Sequence, residues 1–205
     1  VNGAMIKPYY DHAGITIYHG DCRNILPHLP RVDLVLTDPP YGVGCKRGDT
    51  KLSEHIFGDD TPFDPSHLLK LNVPMILWGG NAYAHRLPSS NSWLIWDKTF
   101  PECAKHSQAE LAWTNLSIGV RIHREAYHGF MRQRDGWLHP MQKPPKLMSW
   151  CIGFLPEGAI CDPYMGSGPI LLAAKRLGRI CTGIEIEEKY CEIAVQRLSQ
   201  EVLAL

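Results

Sequence analysis

Apolar residues in this chain come in short blocks, each stopped by a turn residue or a carboxylate. Between the blocks the apolar spacing stretches to three and four. That alternation predicts a parallel sheet covered by helices. Residues 15–18 (Ile-Thr-Ile-Tyr) read as a strand ending at Gly20-Asp21. Residues 32–37 are nearly all apolar, as a strand buried on both faces requires, and they stop at Asp38-Pro39-Pro40-Tyr41. Residues 74–78 repeat the design before Gly79-Gly80-Asn81, residues 93–96 before Asp97-Lys98, and residues 109–114 supply a fifth strand. A helix is predicted over 146–154 after the start signal Pro144-Pro145. A short strand at 159–161 then runs into a glycine turn, a helix at 170–177 stops at Gly178, and a strand at 179–186 follows. Residues 187–203 close as an amphipathic helix, with Ile193, Ala194, Arg197 and Leu198 at helical spacing.

Two stretches, 42–65 and 101–140, follow no period. Long irregular segments in a compact domain are usually functional loops. The second carries Arg121, Arg124, Arg132 and Arg134 among His123, Tyr127, Phe130 and Trp137. There is no internal repeat.

Length and composition narrow the class. A chain of 205 residues fits one well-buried α/β domain, expected over 5–205, with Val1-Asn2-Gly3-Ala4 reading as an expression remnant ahead of Met5. No apolar run approaches the ~18 residues that span a bilayer, so no membrane partner is expected. Basic and acidic residues balance at 21 each, so affinity for a polyanion has to come from a local patch. Seven cysteines without a Cys-x-x-Cys pair suit neither a disulfide framework nor a zinc site, and they predict buried thiols in a reducing cytoplasm. His139 has no second ligand at usable spacing, so no metal is expected.

Two motifs carry chemistry. The first is Asp162-Pro163-Tyr164-Met165-Gly166-Ser167-Gly168, a strand, a glycine turn and a helix start. Backbone N–H groups converge at such a turn and make a ligand cradle. Seventeen positions past Gly168, Glu185 ends the next strand, where a carboxylate can accept both ribose hydroxyls of an adenosine. Leu171 stands where the dinucleotide fingerprint needs its third glycine, which disfavours a nicotinamide oxidoreductase. Asp162 instead places a carboxylate where a ligand's ammonium group could sit. The second motif is Asp38-Pro39-Pro40-Tyr41. Its prolines hold the backbone extended, so the Asp38 carboxylate and the Pro39 carbonyl can together accept both protons of a planar amino group. Tyr41 supplies a ring for a base to stack on.

In these motifs the chain resembles the DNA amino-methyltransferases, in the permuted group whose catalytic motif precedes the cofactor motif. Asp38-Pro-Pro-Tyr41 resembles the catalytic motif, the turn from Asp162 the cofactor loop, and Gly183-Ile-Glu185-Ile186 the ribose-binding strand. Gly20-Asp21-Cys22 resembles the segment beside the cofactor adenine, and His139-Pro-Met-Gln142-Lys143-Pro the stretch around the methionine moiety. Trp78-Gly-Gly-Asn81 and Trp96-Asp97-Lys98 are similar to those of small phage and prophage adenine methylases. Pro169 in place of the usual Thr and Tyr164 in place of Phe depart from the pattern.

The resemblance implies a Rossmann-like, doubly wound, mostly parallel sheet. It implies S-adenosylmethionine as cofactor, bordered by Asp21, Cys22, Asp38, Gln142, Lys143, Asp162, Tyr164, Gly166, Ser167, Gly168, Glu185 and Ile186. Asp38, Pro39, Pro40 and Tyr41 are the expected catalytic residues. Double-stranded DNA is the expected partner, contacted through Arg121, Arg124, Arg132 and Arg134, and a homodimer stays open. The expected reaction methylates N6 of a flipped-out adenine, with N4 of cytosine as the alternative. A binding module without turnover is the rival from another class. No proline precedes a cysteine, as a cytosine-C5 enzyme would require.

Overall fold

Strands buried on both faces have to sit in the middle of a sheet, and the apolar runs of this chain do so. The computed structural model describes residues 6–42, 57–99, 107–126 and 143–200. Val1 to Ala4, Arg132, Arg134, His139 and Gln142 lie outside the described residues. Nine strands are described: β1 (Tyr10–His12), β2 (Ile15–His19), β3 (Leu34–Thr37), β4 (Met75–Trp78), β5 (Trp93–Asp97), β6 (Ala109–Thr114), β7 (Val120–Arg124), β8 (Ile160–Asp162) and β9 (Cys181–Glu185). They form one sheet in the order β1-β2-β9-β8-β3-β4-β6-β5-β7. From β2 to β4 all neighbours are parallel, β1 and β6 pair antiparallel, and β7 lies parallel to β5.

Successive residues in a strand face opposite ways, and this sorts the core into two layers. Leu34, Leu36, Ile76 and Trp78 join one core; Val35, Met75 and Leu77 join the other. The first is covered by α3 (Pro145–Ile152), α4 (Pro169–Arg176) and α5 (Glu188–Gln200), through residues such as Leu147, Leu171 and Leu198. The second is covered by the single turns α1 (Cys22–Ile25) and α2 (Ser66–Leu69), with Phe63 and Tyr83. The doubly wound, mostly parallel sheet read from the sequence is present. Pro169 occupies the first turn of α4 without breaking it, because an N–H there has no helical partner to lose.

The stretch 101–140 is not irregular throughout, since 120–124 is the strand β7. Its residues are mostly exposed, and its apolar signal is only Val120 and Ile122 alternating with Arg121 and His123. β1 escaped for the same reason, being a polar margin joined to β2 through Ala13-Gly14, both at positive φ (51° and 79°).

Register then fixes the site. Leu34 pairs with Ile160 and Val35 with Cys161, so β3 and β8 end side by side. From β3 the chain moves on to β4 on one flank, and from β8 to β9 on the other. Such a reversal opens a crevice beyond the carboxyl ends of the two strands.

Candidate active site

Asp38 follows β3 and Pro163 follows β8, so the two motifs emerge into that one crevice. Thr37 Oγ1 ties the strand ends by donating to Asp162 Oδ1 at 2.7 Å, across 125 residues of chain. A cavity of about 820 Å³ opens over them, within the size range of small-molecule sites. Asp21, Cys22, Tyr164, Gly166, Glu185 and Ile186 line one part of it. Asp38, Pro39, Pro40, Tyr41 and Lys143 line another, with Phe57 and Phe63.

Glu185 is held by backbone. Its Oε2 accepts from the Gly166 N–H at 2.9 Å and its Oε1 from the Glu187 N–H at 2.8 Å. Each oxygen keeps a second lone pair, so the fixed carboxylate can still accept a pair of hydroxyls. Burial lifts its pKa above the usual glutamate value. Asp21 caps α1, accepting from the Arg23 N–H at 2.9 Å and from the Arg23 guanidinium at 2.6 Å. The Arg23 hydrogen bond holds its pKa low. His67 of α2 faces the Asp64 carbonyl through Nδ1 at 3.1 Å, which leaves Nε2 to accept from the Tyr164 hydroxyl at 2.9 Å. Burial lowers the His67 pKa and favours that neutral form. Phe63 packs edge-on against His67, Tyr83 and Tyr164, and completes an aromatic wall.

Three residues of the cofactor motif stand behind the wall. Asp162 is 1% exposed, and Oδ1 accepts from Thr37 and, at 3.2 Å, from the Tyr164 N–H. Burial pushes its pKa up to about 8. Ser167 is buried, and its carbonyl and hydroxyl accept from Arg197 of α5 at 2.7 and 3.1 Å. Gly168, at φ +75°, brings the turn so close to α5 that a Cβ would sit 3.0 Å from the Ala194 Cβ. These three positions shape the turn and pack it on α5.

Each Asp38 oxygen holds one donor and keeps a second lone pair. Tyr41 Oη donates to Oδ1 at 2.5 Å and Lys143 Nζ to Oδ2 at 2.7 Å. Lys143, expected near the methionine moiety, has its ammonium on Asp38 and only 4% of its side chain exposed. The same ammonium reaches Glu110 at 2.8 Å, and Glu110 reaches Lys98 at 2.5 Å. Burial raises the Asp38 pKa against the pull of Lys143. The two lysines win at Glu110, whose pKa falls to about 2, and the two carboxylates raise that of Lys143. The Tyr41 ring packs on Gly79, at φ +70°, where a Cβ would lie 2.0 Å from a ring carbon.

Glu110, Lys98, His67 and Phe63 were missed as site residues. The signal for Glu110 was a lone carboxylate opening an apolar strand, opposite a strand ending in Asp97-Lys98; His67 and Phe63 carried none.

The arginines give a thinner picture. Arg124 pairs with Asp97 at 3.3 Å with 70% of its side chain exposed, and Arg121 donates to the Val120 carbonyl. Three positions apart on β7, they project to opposite sides of the strand, so these two do not form one patch. Among the described residues no cluster of His, Cys, Asp or Glu could hold a metal ion, and no helix is long and apolar enough to cross a membrane. The five described cysteines are buried and unpaired.

Comparison with known proteins brings in the family. The profile of the N6/N4 DNA methylases matches residues 84–196, more than half of the chain. The chain belongs to the N6/N4 DNA methylase family. This methylase is 25% identical to the Type II methyltransferase M.ScaI of Streptomyces caespitosus, over all of its own length and 88% of that protein. It is 26% identical to the putative methylase YubD of Escherichia coli K12, over 88% of each chain. Among solved structures, the M1.HpyAVI–SAM complex superimposes with a TM-score of 0.59 at 24% identity, covering 89% of the methylase and 99% of that chain. The cytosine-N4-specific PvuII DNA methyltransferase does so with a TM-score of 0.65 at 15% identity, covering 92% and 88%. At such identities the likeness is one of fold, that of the S-adenosylmethionine-dependent methyltransferases.

Proposed function

We propose that this methylase transfers a methyl group from S-adenosylmethionine to the exocyclic amino group of a base in double-stranded DNA, in the first place N6 of adenine. The observation that carries the reading is that Asp38-Pro-Pro-Tyr41 and Glu185 border one cavity. The cofactor, when bound, supplies a methyl group on a positively charged sulfur. Glu185 takes the ribose hydroxyls, Asp21 and Cys22 flank the adenine, and Tyr164, Gly166 and Ile186 complete the wall. The target base leaves the helix. Asp38 and the Pro39 carbonyl accept its two N–H groups, which turns the nitrogen lone pair toward the donor. Most of the acceleration then comes from positioning and from the carboxylate facing a nitrogen that becomes positive. Asp38, accepting one of those N–H groups, is also the base that takes the proton released from that nitrogen. Arg121, Arg124, Arg132 and Arg134 are proposed to meet phosphates, and Gln142 to border the cofactor.

The preference for adenine rests on the adenine-methylase likeness of Trp78-Gly-Gly-Asn81 and Trp96-Asp97-Lys98. N4 of cytosine is the second reading, favoured by the fold likeness to a cytosine-N4 enzyme. Transfer of labelled methyl to duplex DNA, followed by mass spectrometry of the nucleosides, tests both. N6-methyladenine is expected, and N4-methylcytosine would replace the first reading with the second. Asp38→Ala should lower transfer by at least about 10²-fold in a variant that still melts cooperatively. Unchanged turnover in that variant would remove Asp38 from the reaction.

A further inference from the structure

We propose that Glu110, backed by Lys98, is a positioning residue for the transfer, drawing part of the Lys143 charge off Asp38 so that this carboxylate stays available to the incoming amine. The inference rests on the proposed reading of Asp38. Lys143 Nζ donates to Asp38 Oδ2 at 2.7 Å and to Tyr41 Oη at 3.1 Å, and forms an ion pair with Glu110 Oε2 at 2.8 Å. Lys98 contacts the other oxygen of Glu110 at 2.5 Å, so the charges alternate along a line of four. The sheet builds this line. Trp96 stands opposite Glu110 between β5 and β6, and the Lys98 N–H donates to the Gln108 carbonyl at 2.9 Å, which sets Lys98 beside Glu110 at the cleft end of both strands.

A buried ammonium with one carboxylate for company would settle on it and neutralise it. Asp38 would then be a poor acceptor for an amino group, its negative charge being cancelled by Lys143 alone. Glu110 prevents this by offering Lys143 a second anion of nearly equal distance. Lys98 in turn keeps Glu110 from taking the ammonium over. The groups facing Asp38 are Lys143 ahead of α3, Tyr41 of its own turn, Glu110 of β6, Tyr83 of the turn after β4, and Asp162 of β8. Glu110 and Lys98 touch Asp38 only through Lys143, and neither lines the cavity.

The test uses the whole chain with S-adenosylmethionine and duplex DNA, in wild type, Glu110→Gln and Lys98→Met. Removing the negative charge of Glu110 should lower kcat by about 10- to 100-fold, leave KM for S-adenosylmethionine unchanged, and move the acid limb of kcat/KM to lower pH. Removing the Lys98 charge should move that limb to higher pH. Opposite shifts are a signature that a plain stabilising ion pair would not produce. An active wild type with an unmoved limb in Glu110→Gln, or with both variants shifting alike, overturns the inference. If Glu110→Gln shows no cooperative melt, Lys98→Met decides alone, and a limb that stays or falls overturns it. A wild type that transfers nothing to DNA brings down the proposed function itself, an outcome separate from these.

Discussion

Asp162 shows how one carboxyl can serve a joint and burden the fold at once. Its contacts to Thr37 and Tyr164 weld the ends of β3 and β8, and its burial pushes the pKa from 3.8 to about 8. The folded chain therefore holds a proton that the unfolded chain releases. Stability from this group is complete below the unfolded pKa of about 4 and is lost as the pH climbs through about 8. Asp162→Asn keeps a carbonyl oxygen for both donors and carries no charge. We expect the Tm of the variant to change less than that of wild type between about pH 5 and pH 8. Parallel Tm curves would show that the carboxyl is ionised throughout.

The turn after β4 sets the place of Tyr41. Gly79 takes a left-handed conformation and meets the Tyr41 ring so closely that any side chain there must push the ring aside. Gly79→Ala should lower kcat by about 10-fold or more through the displaced ring, and should cost on the order of 1 kcal/mol through the strained φ. Transfer at the wild-type rate, measured with thermal melts in parallel, would show that the ring position is immaterial. Such turns were legible in the sequence as motifs, and so were β2, β3, β4, β5, β6, β8 and β9, because their buried positions, on both faces in β3, β4 and β8 and on part of the strand in the others, are mostly apolar. The margins β1 and β7 and the single turns α1 and α2 were not, since little of their surface is apolar and their pairing comes from neighbours far along the chain. The site divides in the same way. Asp38, Lys98, Lys143 and Glu185 sit in local patterns, whereas Glu110 gains its meaning only when β5 and β6 are laid side by side.

One end of the cavity draws walls from both ends of the chain: Asp21 and Cys22 come from the first eighth, and Gly166 and Glu185 from the last fifth. A ligand seated there adds its binding energy to the fold. At a concentration 100 times its Kd, S-adenosylmethionine should stabilise the chain by about 2.7 kcal/mol, read as a rise in Tm. An unmoved Tm at saturating cofactor would show that the folded chain does not bind it. The central pairing of β3 with β8 also has a cost in time. Thr37 is made 125 residues before Asp162. At about 5–20 residues per second the ribosome needs roughly 6–25 s to deliver the missing neighbour. Through that interval Leu34, Val35 and Leu36 form a sticky open margin. The nascent chain is thus most prone to clump when the half bearing Asp38 is out and the half bearing Asp162 is still unmade, and slower translation of the second half lengthens that exposure.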